Sequence, residues 1–294
     1  MPSSESAQQR IRTLDPRGAK RGLSLKEFYP SRSNNARKGD FGRVIVCGGS
    51  DRYAGCLAFN SLAALRAGTD LATVVAPKRA ADIVAAYSPD LITVPCDSSF
   101  PDPNIVIELL ENADALVVGC GVIRTPESHG ALLDIIQRCK TPMVLDAEAL
   151  HALAAKAGSI KGKQVLLTPN AGEYRVLSGT SWPPAADARR TAVKTLAKQY
   201  DATVIVKGAP DIVSDGERTY VDPRGSPYMT KGGYGDLLAG VAGAHLARGR
   251  TPFDAARVAA FIVGRAGELA SAKFGESTLA SDVLQFFSSV ISSR

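Results

Sequence analysis

The feature that most constrains the fold is a rhythm. Short runs of β-branched and aliphatic residues recur along the chain, each followed by a longer segment with helical spacing. The runs are Arg43-Val44-Ile45-Val46-Cys47, 71–75, 91–95, 115–118, Met143-Val144-Leu145, Val165-Leu166-Leu167 and Thr203-Val204-Ile205-Val206. Most are apolar without alternation, the mark of strands buried on both faces. Helices are expected between them over 54–67, 78–86, 104–112, 127–139, 147–155 and 185–199, with Gly68 stopping the first and Pro126 opening the fourth. Strands alternating with helices predict an α/β fold, a mostly parallel sheet covered on both faces.

After Lys207-Gly208 the rhythm changes. Asp211-Ile212-Val213-Ser214 and Arg218-Thr219-Tyr220-Val221 flank Asp215-Gly216, which predicts an antiparallel hairpin near the sheet edge. Then comes Thr230-Lys231-Gly232-Gly233-Tyr234-Gly235-Asp236, a glycine turn entering a small-residue helix over 236–245. Thr251 and Pro252 start another helix, and a last one is expected over 279–290. Residues 1–22 are polar and basic and are expected to be a disordered tail; 23–42 look irregular. No internal repeat or long linker divides the rest, so 23–294 is expected to be one domain.

Composition narrows the function classes. With 35 Lys and Arg against 29 Asp and Glu, the chain carries a net charge of +6, which suits anionic substrates. The basic residues form no block that would argue for nucleic acid. The five cysteines form no C-x-x-C pair and are odd in number, favouring reduced thiols in a cytoplasmic setting. With three histidines and no paired ligand spacing, a structural zinc is not expected. No apolar run is long enough to span a membrane, and the N-terminus has no apolar signal core.

In an open α/β sheet, ligands bind beyond the carboxyl ends of the strands. Gly48-Gly49-Ser50, Gly119-Cys120-Gly121, Asp146, Asn170 with Glu173, Lys207-Gly208 and the loop before Asp236 all fall at such positions. Together they suggest a long cleft for an extended, phosphate-bearing ligand. The P-loop, the dinucleotide G-x-G-x-x-G and the G-x-S-x-G elbow are all lacking. Beside an anion-binding glycine turn, Asp236 reads either as a helix N-cap or as a base that takes a proton from an attacking hydroxyl. Lys207 ends a buried strand, where an ammonium must reach water or an anion. Asp146 reads as a helix N-cap and Cys56 as a space-filler.

Taken in order, KGDFGRVIVCGGS (38–50), YAG (53–55), ALRAGTDLATVV (64–75), VLDAEAL (144–150), TPNAGE (168–173), VKGA (206–209) and GGYGDLLAG (232–240) resemble the ADP- or ATP-dependent NAD(P)H-hydrate dehydratases of the ribokinase-like superfamily. The resemblance runs from about Lys38 to the C-terminus. Members can carry an N-terminal epimerase domain, which is not expected in the short stretch before the first motif here. The resemblance implies repair of hydrated NADH or NADPH. The ring hydroxyl would be phosphorylated from ADP or ATP with Mg²⁺, and phosphate then eliminated.

Carried onto this chain, the resemblance makes Asp236 the base and the backbone of Gly233 and Gly235 an anion hole. It puts Lys207, Gly208, Ala209, Pro210, Asp211 and Gly235 at the nucleotide, and Cys56, Gly121, Asn170 and Asp236 at the hydrated dinucleotide. Glu173 falls beside the metal. A homo-oligomer is expected. Where the family has Thr or Ser, this chain has Tyr234, whose ring is expected to enter the cleft and partly obstruct it. Asn170 replaces a His, Ala171 a Pro and Cys56 an Ala, and the family's G-P-G-L-G run is Gly119-Cys120-Gly121-Val122-Ile123 here. Two other readings stay open: a kinase of a small alcohol, and a nucleotide-binding sensor without turnover.

Overall fold

The apolar runs assemble into one nine-stranded sheet. The structure is a computed structural model and describes residues 23–292; the basic stretch 1–22 lies outside the described residues. In chain order the first half comprises β1 (Arg43–Cys47), α1 (Gly55–Arg66), β2 (Leu71–Pro77), α2 (Lys78–Tyr87), β3 (Ile92–Cys96), α3 (Pro103–Leu110), β4 (Ala115–Val118) and α4 (Pro126–Arg138). Next come β5 (Met143–Leu145), α5 (Glu148–Ala154), β6 (Val165–Leu167), α6 (Ala171–Ser178), α7 (Ala186–Tyr200) and β7 (Thr203–Val206). The hairpin β8 (Asp211–Ser214) and β9 (Thr219–Asp222) precedes α8 (Tyr234–Ala247), α9 (Pro252–Phe274), α10 (Ala280–Gln285) and α11 (Phe287–Ser292). Helix and strand ends fall within a few residues of the sequence reading.

The sheet order is β3-β2-β1-β4-β5-β6-β7-β8-β9. All pairings from β3 to β7 are parallel, and β7-β8 and β8-β9 are antiparallel. Successive side chains alternate between two cores, as the pleat requires. Val44, Val46, Ala115, Val117, Val144, Leu166 and Ile205 pack under α1, α8 and α9. Their neighbours Ile45, Cys47, Leu116, Val118, Met143, Leu145, Val165, Leu167, Val204 and Val206 pack under α4, α5 and α7. Both faces of the central strands β1, β4, β5, β6 and β7 are dry, which is why these read as unbroken apolar runs.

The chain runs outward through β2 and β3, then returns to add β4 on the other side of β1. The β1/β4 junction is therefore a topological switch point, where the loops leaving two neighbouring strands diverge and open a crevice.

Two expectations change. The last helical stretch is two helices, interrupted at Phe286, whose amide closes a short turn onto the Val283 carbonyl at 3.0 Å. Segment 23–42 holds one short 3-10 turn, Leu25–Glu27, and is anchored: Leu23, Leu25, Phe28 and Tyr29 are buried against the α8 side of the core. The Tyr29 hydroxyl lies 3.0 Å from His245 Nε2, and Arg248 donates to the Phe28 and Ala67 carbonyls.

Candidate active site

The switch point carries two glycine loops that touch. The Gly49 amide donates to the Cys120 carbonyl at 2.7 Å, joining the loop after β1 to the loop after β4. Gly119 has φ +117°, and a Cβ there would meet the Ala149 amide at 2.6 Å. Only glycine lets this loop lie so close to the start of α5. Beside these loops opens a cleft of about 570 Å³, lined among others by Tyr53, Cys56, Phe59, Cys120, Gly121, Arg124, Ala147, Glu148, His151, Glu173, Gly233 and Asp236. That volume lies in the range of small-molecule sites. A second hollow of about 650 Å³, between Lys78, Arg79 and Asp97, shares no lining residue with it.

Asp236 sits in the first turn of α8, but it is not the cap. Gly233 is, with φ +105°, and no side chain caps that end. A Cβ on Gly233 would come within 2.7 Å of the Ala280 methyl and 2.9 Å of the Phe59 ring, so both space and φ demand glycine. The amides of Tyr234, Gly235 and Asp236 thus lack partners within the helix. The helix dipole adds positive potential at the same place. Of the three glycines in this turn, only Gly233 uses the left-handed region.

The Asp236 carboxyl is pushed up to about 7, first by burial and then by the neighbouring Asp146, while Lys207 and a hydrogen bond from Asn60 pull the other way. Asn60 Nδ2 reaches Asp236 Oδ1 at 3.3 Å and the Cys56 carbonyl at 2.9 Å. A carboxylate poised near neutrality is suited to accept a proton from an alcohol.

Lys207 extends from the end of β7 to the same spot. Its Nζ is 2.7 Å from Asp146 Oδ1 and 3.9 Å from Glu173 Oε2. A Cβ on Gly235 would lie 3.2 Å from this ammonium, so the lysine lies close to the α8 turn. Burial alone would lower the Lys207 pKa, but Asp146 and Glu173 outweigh it and keep the charge.

The N-cap reading of Asp146 is corrected. Ala147 precedes α5, at φ 49°. The buried Asp146 carboxylate instead accepts from Thr168 Oγ1 at 2.6 Å and from Lys207. Nothing local in the sequence marks this, because Thr168 and Lys207 lie one and two strands away.

Asn170 caps α6, accepting from the Gly172 and Glu173 amides at 2.8 and 2.9 Å, while Glu173 accepts from the Asn170 amide at 2.8 Å. Glu173 lines the cleft and Asn170 does not. Burial raises the Glu173 carboxyl, with Asp146 and Glu148 adding to the rise against Lys207. Gly208, Ala209 and Pro210 form the turn into β8, closed by the Gly208 amide donating to Asp211 Oδ1 at 2.8 Å. Burial pushes Asp211 up to about 7.

The Tyr234 expectation is overturned. The ring is buried, 8% exposed, and its hydroxyl donates to the Thr278 carbonyl at 3.3 Å. It packs into the core under α10 and is absent from the cleft lining. On the first turn of α8, position 234 faces the core while 236 faces the cleft, since neighbours two apart lie on different helix faces.

The sequence reading missed several cleft residues. Glu148 holds Arg124 through two bonds of 2.7 and 3.0 Å and His129 Nε2 at 2.5 Å. Its carboxyl is held below the usual range by Arg124 and His129 despite burial. Glu148 falls in the VLDAEAL stretch, the one signal that could have found it. The Cys56 and Cys120 thiols lie within 4.8 Å of each other and of Asp236. A hydrogen bond between the two free thiols, and burial, push Cys120 well up.

The arrangement thus offers a neutral-range carboxylate, a fixed ammonium and an uncapped helix N-terminus at one end of a cleft. The family model for NAD(P)H-hydrate dehydratase matches residues 44–288. An "ADP-dependent (S)-NAD(P)H-hydrate dehydratase" of Cenarchaeum symbiosum is 38% identical over 276 residues, 91% of this chain and 94% of that protein. A "bifunctional NAD(P)H-hydrate repair enzyme" of Pyrobaculum aerophilum is 38% identical over 89% of this chain, which spans only 52% of that relative. Among solved structures, the Bacillus subtilis ADP/ATP-dependent NAD(P)H-hydrate dehydratase, co-crystallised with ATP/Mg²⁺, superposes with a TM-score of 0.80 at 23% identity, covering 90% of this chain and 94% of that one. A ribokinase-like protein of Enterococcus faecalis superposes with a TM-score of 0.77 at 21% identity, over 90% of this chain and 91% of that one. With its sheet order, its uncapped glycine turn ahead of Asp236 and these matches across most of its length, the chain belongs to the NAD(P)H-hydrate dehydratase family.

Proposed function

We propose that this chain restores hydrated NADH and NADPH, with ADP as the first candidate phosphoryl donor and ATP as the second. The observation that carries the reading is the Asp236 carboxyl, poised near neutrality in the first turn of an uncapped helix and facing the cleft. Asp236 takes the proton of the ring hydroxyl. The freed oxygen attacks the terminal phosphoryl group, breaking its bond to the bridging oxygen and releasing AMP from ADP or ADP from ATP, and the amides of Tyr234, Gly235 and Asp236 receive the oxygens whose charge grows. Lys207 adds a fixed positive charge beside the same turn. Phosphate then leaves with the C–O electrons, a proton leaves the neighbouring carbon, and the ring double bond returns.

The nucleotide runs over the β7–β8 turn, Gly208 to Asp211, and the hydrated dinucleotide over Cys56, Gly121 and the Asn170 region. Glu173 suits Mg²⁺: it is a hard oxygen donor raised by burial and neighbouring acids, a strain that a cation relieves. When bound there with the nucleotide phosphates, Mg²⁺ supplies charge neutralisation on the transferring group. With Tyr234 in the core, nothing at that position obstructs the acceptor. The relative of Cenarchaeum symbiosum, whose length this chain nearly matches, supports the ADP reading.

The test is recovery of reduced-nicotinamide absorbance from hydrated NADH or NADPH, with Mg²⁺ and either donor. The expected result is recovery in step with release of AMP from ADP. Nucleotide binding without recovery favours the sensor reading, and phosphorylation of small alcohols in its place favours the kinase.

A further inference from the structure

We propose that Cys56, Cys120 and Asp236 form a site for a soft divalent cation of the Zn²⁺ class, and that filling it takes Asp236 out of use. The three come from separate places: the first turn of α1, the loop after β4 and the first turn of α8. Their two sulfurs and one carboxylate oxygen lie within 4.8 Å of one another. Zinc bonds of about 2.0–2.3 Å place tetrahedral ligands roughly 3.3–3.8 Å apart, so side-chain adjustments of about 1 Å close the set. Among the described residues, no other group of three or more His, Cys, Asp or Glu side chains is placed to hold a metal ion.

The ligand set is held from outside. Asn60 donates both to the Cys56 carbonyl and to Asp236 Oδ1, tying two ligands together as outer-shell partners do. The Cys120 carbonyl is fixed by the Gly49 amide. Gly121 leaves the space, since a Cβ there would come within 2.5 Å of Cys56 Sγ. All three ligands line the open cleft, so an ion can enter and a water can complete its fourth position.

Two thiolates select zinc-like ions over Mg²⁺, which prefers an all-oxygen shell. Binding releases the two thiol protons, and the Asp236 proton where it is held, to solvent, so affinity rises with pH. Both thiols stand where the resembled family motifs have Ala and Pro. That occupancy stops turnover rests on Asp236 being the base; that the ion binds does not.

The test uses the full chain, reduced with a phosphine and stripped of metal, with Co²⁺ as the optical probe. Metal-free turnover is measured first, so a failure of the functional reading shows there and not in the titration. The expected result is a thiolate-to-cobalt absorption band saturating at one equivalent, displaced by Zn²⁺ and unaffected by millimolar Mg²⁺. Cys56→Ala and Cys120→Ala should each weaken binding at least tenfold. Should either variant fail to fold, wild-type protein decides: Zn²⁺ should shield Cys56 from alkylation, read by mass spectrometry. No band in folded wild type, a band that survives both substitutions, or equal alkylation with and without Zn²⁺ would overturn the site. Turnover should fall with Zn²⁺ and return with a chelator; unchanged turnover at saturating Zn²⁺ would overturn the claim on Asp236.

Discussion

Lys207 and Asp146 meet across an intervening strand. Their 2.7 Å contact joins the ends of β7 and β5, and Thr168, at the end of β6 between them, donates to the same Asp146 oxygen at 2.6 Å. Both side chains are largely buried, 19% and 5% exposed, so each charge depends on the other. Lys207→Met should therefore destabilise the chain by roughly 3–5 kcal/mol, because an unpaired buried carboxylate remains. Adding Asp146→Asn should recover much of that loss. Urea unfolding of the two single variants and the pair gives the coupling, and simple additivity would show that the ion pair is not the reason.

Asp236→Asn should lower turnover by roughly 10²- to 10⁴-fold while the nucleotide still binds, the range that a positioned general base contributes. It should also change how stability depends on pH. The folded carboxyl, at about 7, sits above its unfolded value, so the native state holds the extra proton between about pH 4 and 7. Wild-type stability therefore declines as pH rises through that window, and the Asn variant escapes this part of the decline. Thermal unfolding at pH 5 and pH 8 checks the sign: the variant's advantage belongs at pH 8.

Asn60→Ala removes the donor that favours the charged form of Asp236. The rising limb of the pH–rate profile should move to higher pH, with turnover lost at pH 7 and partly regained at pH 8.5. A uniform drop at every pH would make Asn60 a packing residue only.

Tyr234→Phe should cost about 0.5–1.5 kcal/mol, one hydrogen bond to Thr278, and leave turnover unchanged. Tyr234→Thr opens a cavity beneath α10 and should cost roughly 2–4 kcal/mol without raising turnover. Faster turnover in the Thr variant would return the ring to the cleft.

Gly233→Ala meets both a φ of +105° and the Ala280 and Phe59 side chains, so it should destabilise by at least about 1–3 kcal/mol and lower nucleotide affinity with it. Gly235→Ala should be milder in stability, since its φ is not left-handed and its nearest obstacle, the Lys207 ammonium, stands 3.2 Å from the added Cβ. Denaturant midpoints for the two variants give the order directly.

The sheet, its hairpin and the place of the cleft were legible along the chain. Unbroken apolar runs, strand-end glycines and Asp215-Gly216 are local signals, because backbone preference and two-sided burial act within a few residues. Asp236 was legible for the same reason, through the glycine turn beside it. The rest was decided by the tertiary structure, because it depends on which strand ends become neighbours. Asp146 looked like a cap until β6 and β7 brought Thr168 and Lys207 to it. Tyr234 looked like a cleft residue because its neighbours are, but the helix turns the two residues to different faces and the core under α10 takes the ring. Cys56 looked like filler, and its proximity to Cys120 and Asp236 exists only where α1, the β4 loop and α8 converge. Local chemistry can be read along the chain; partnerships between buried charged and soft groups belong to the packing that brings them together.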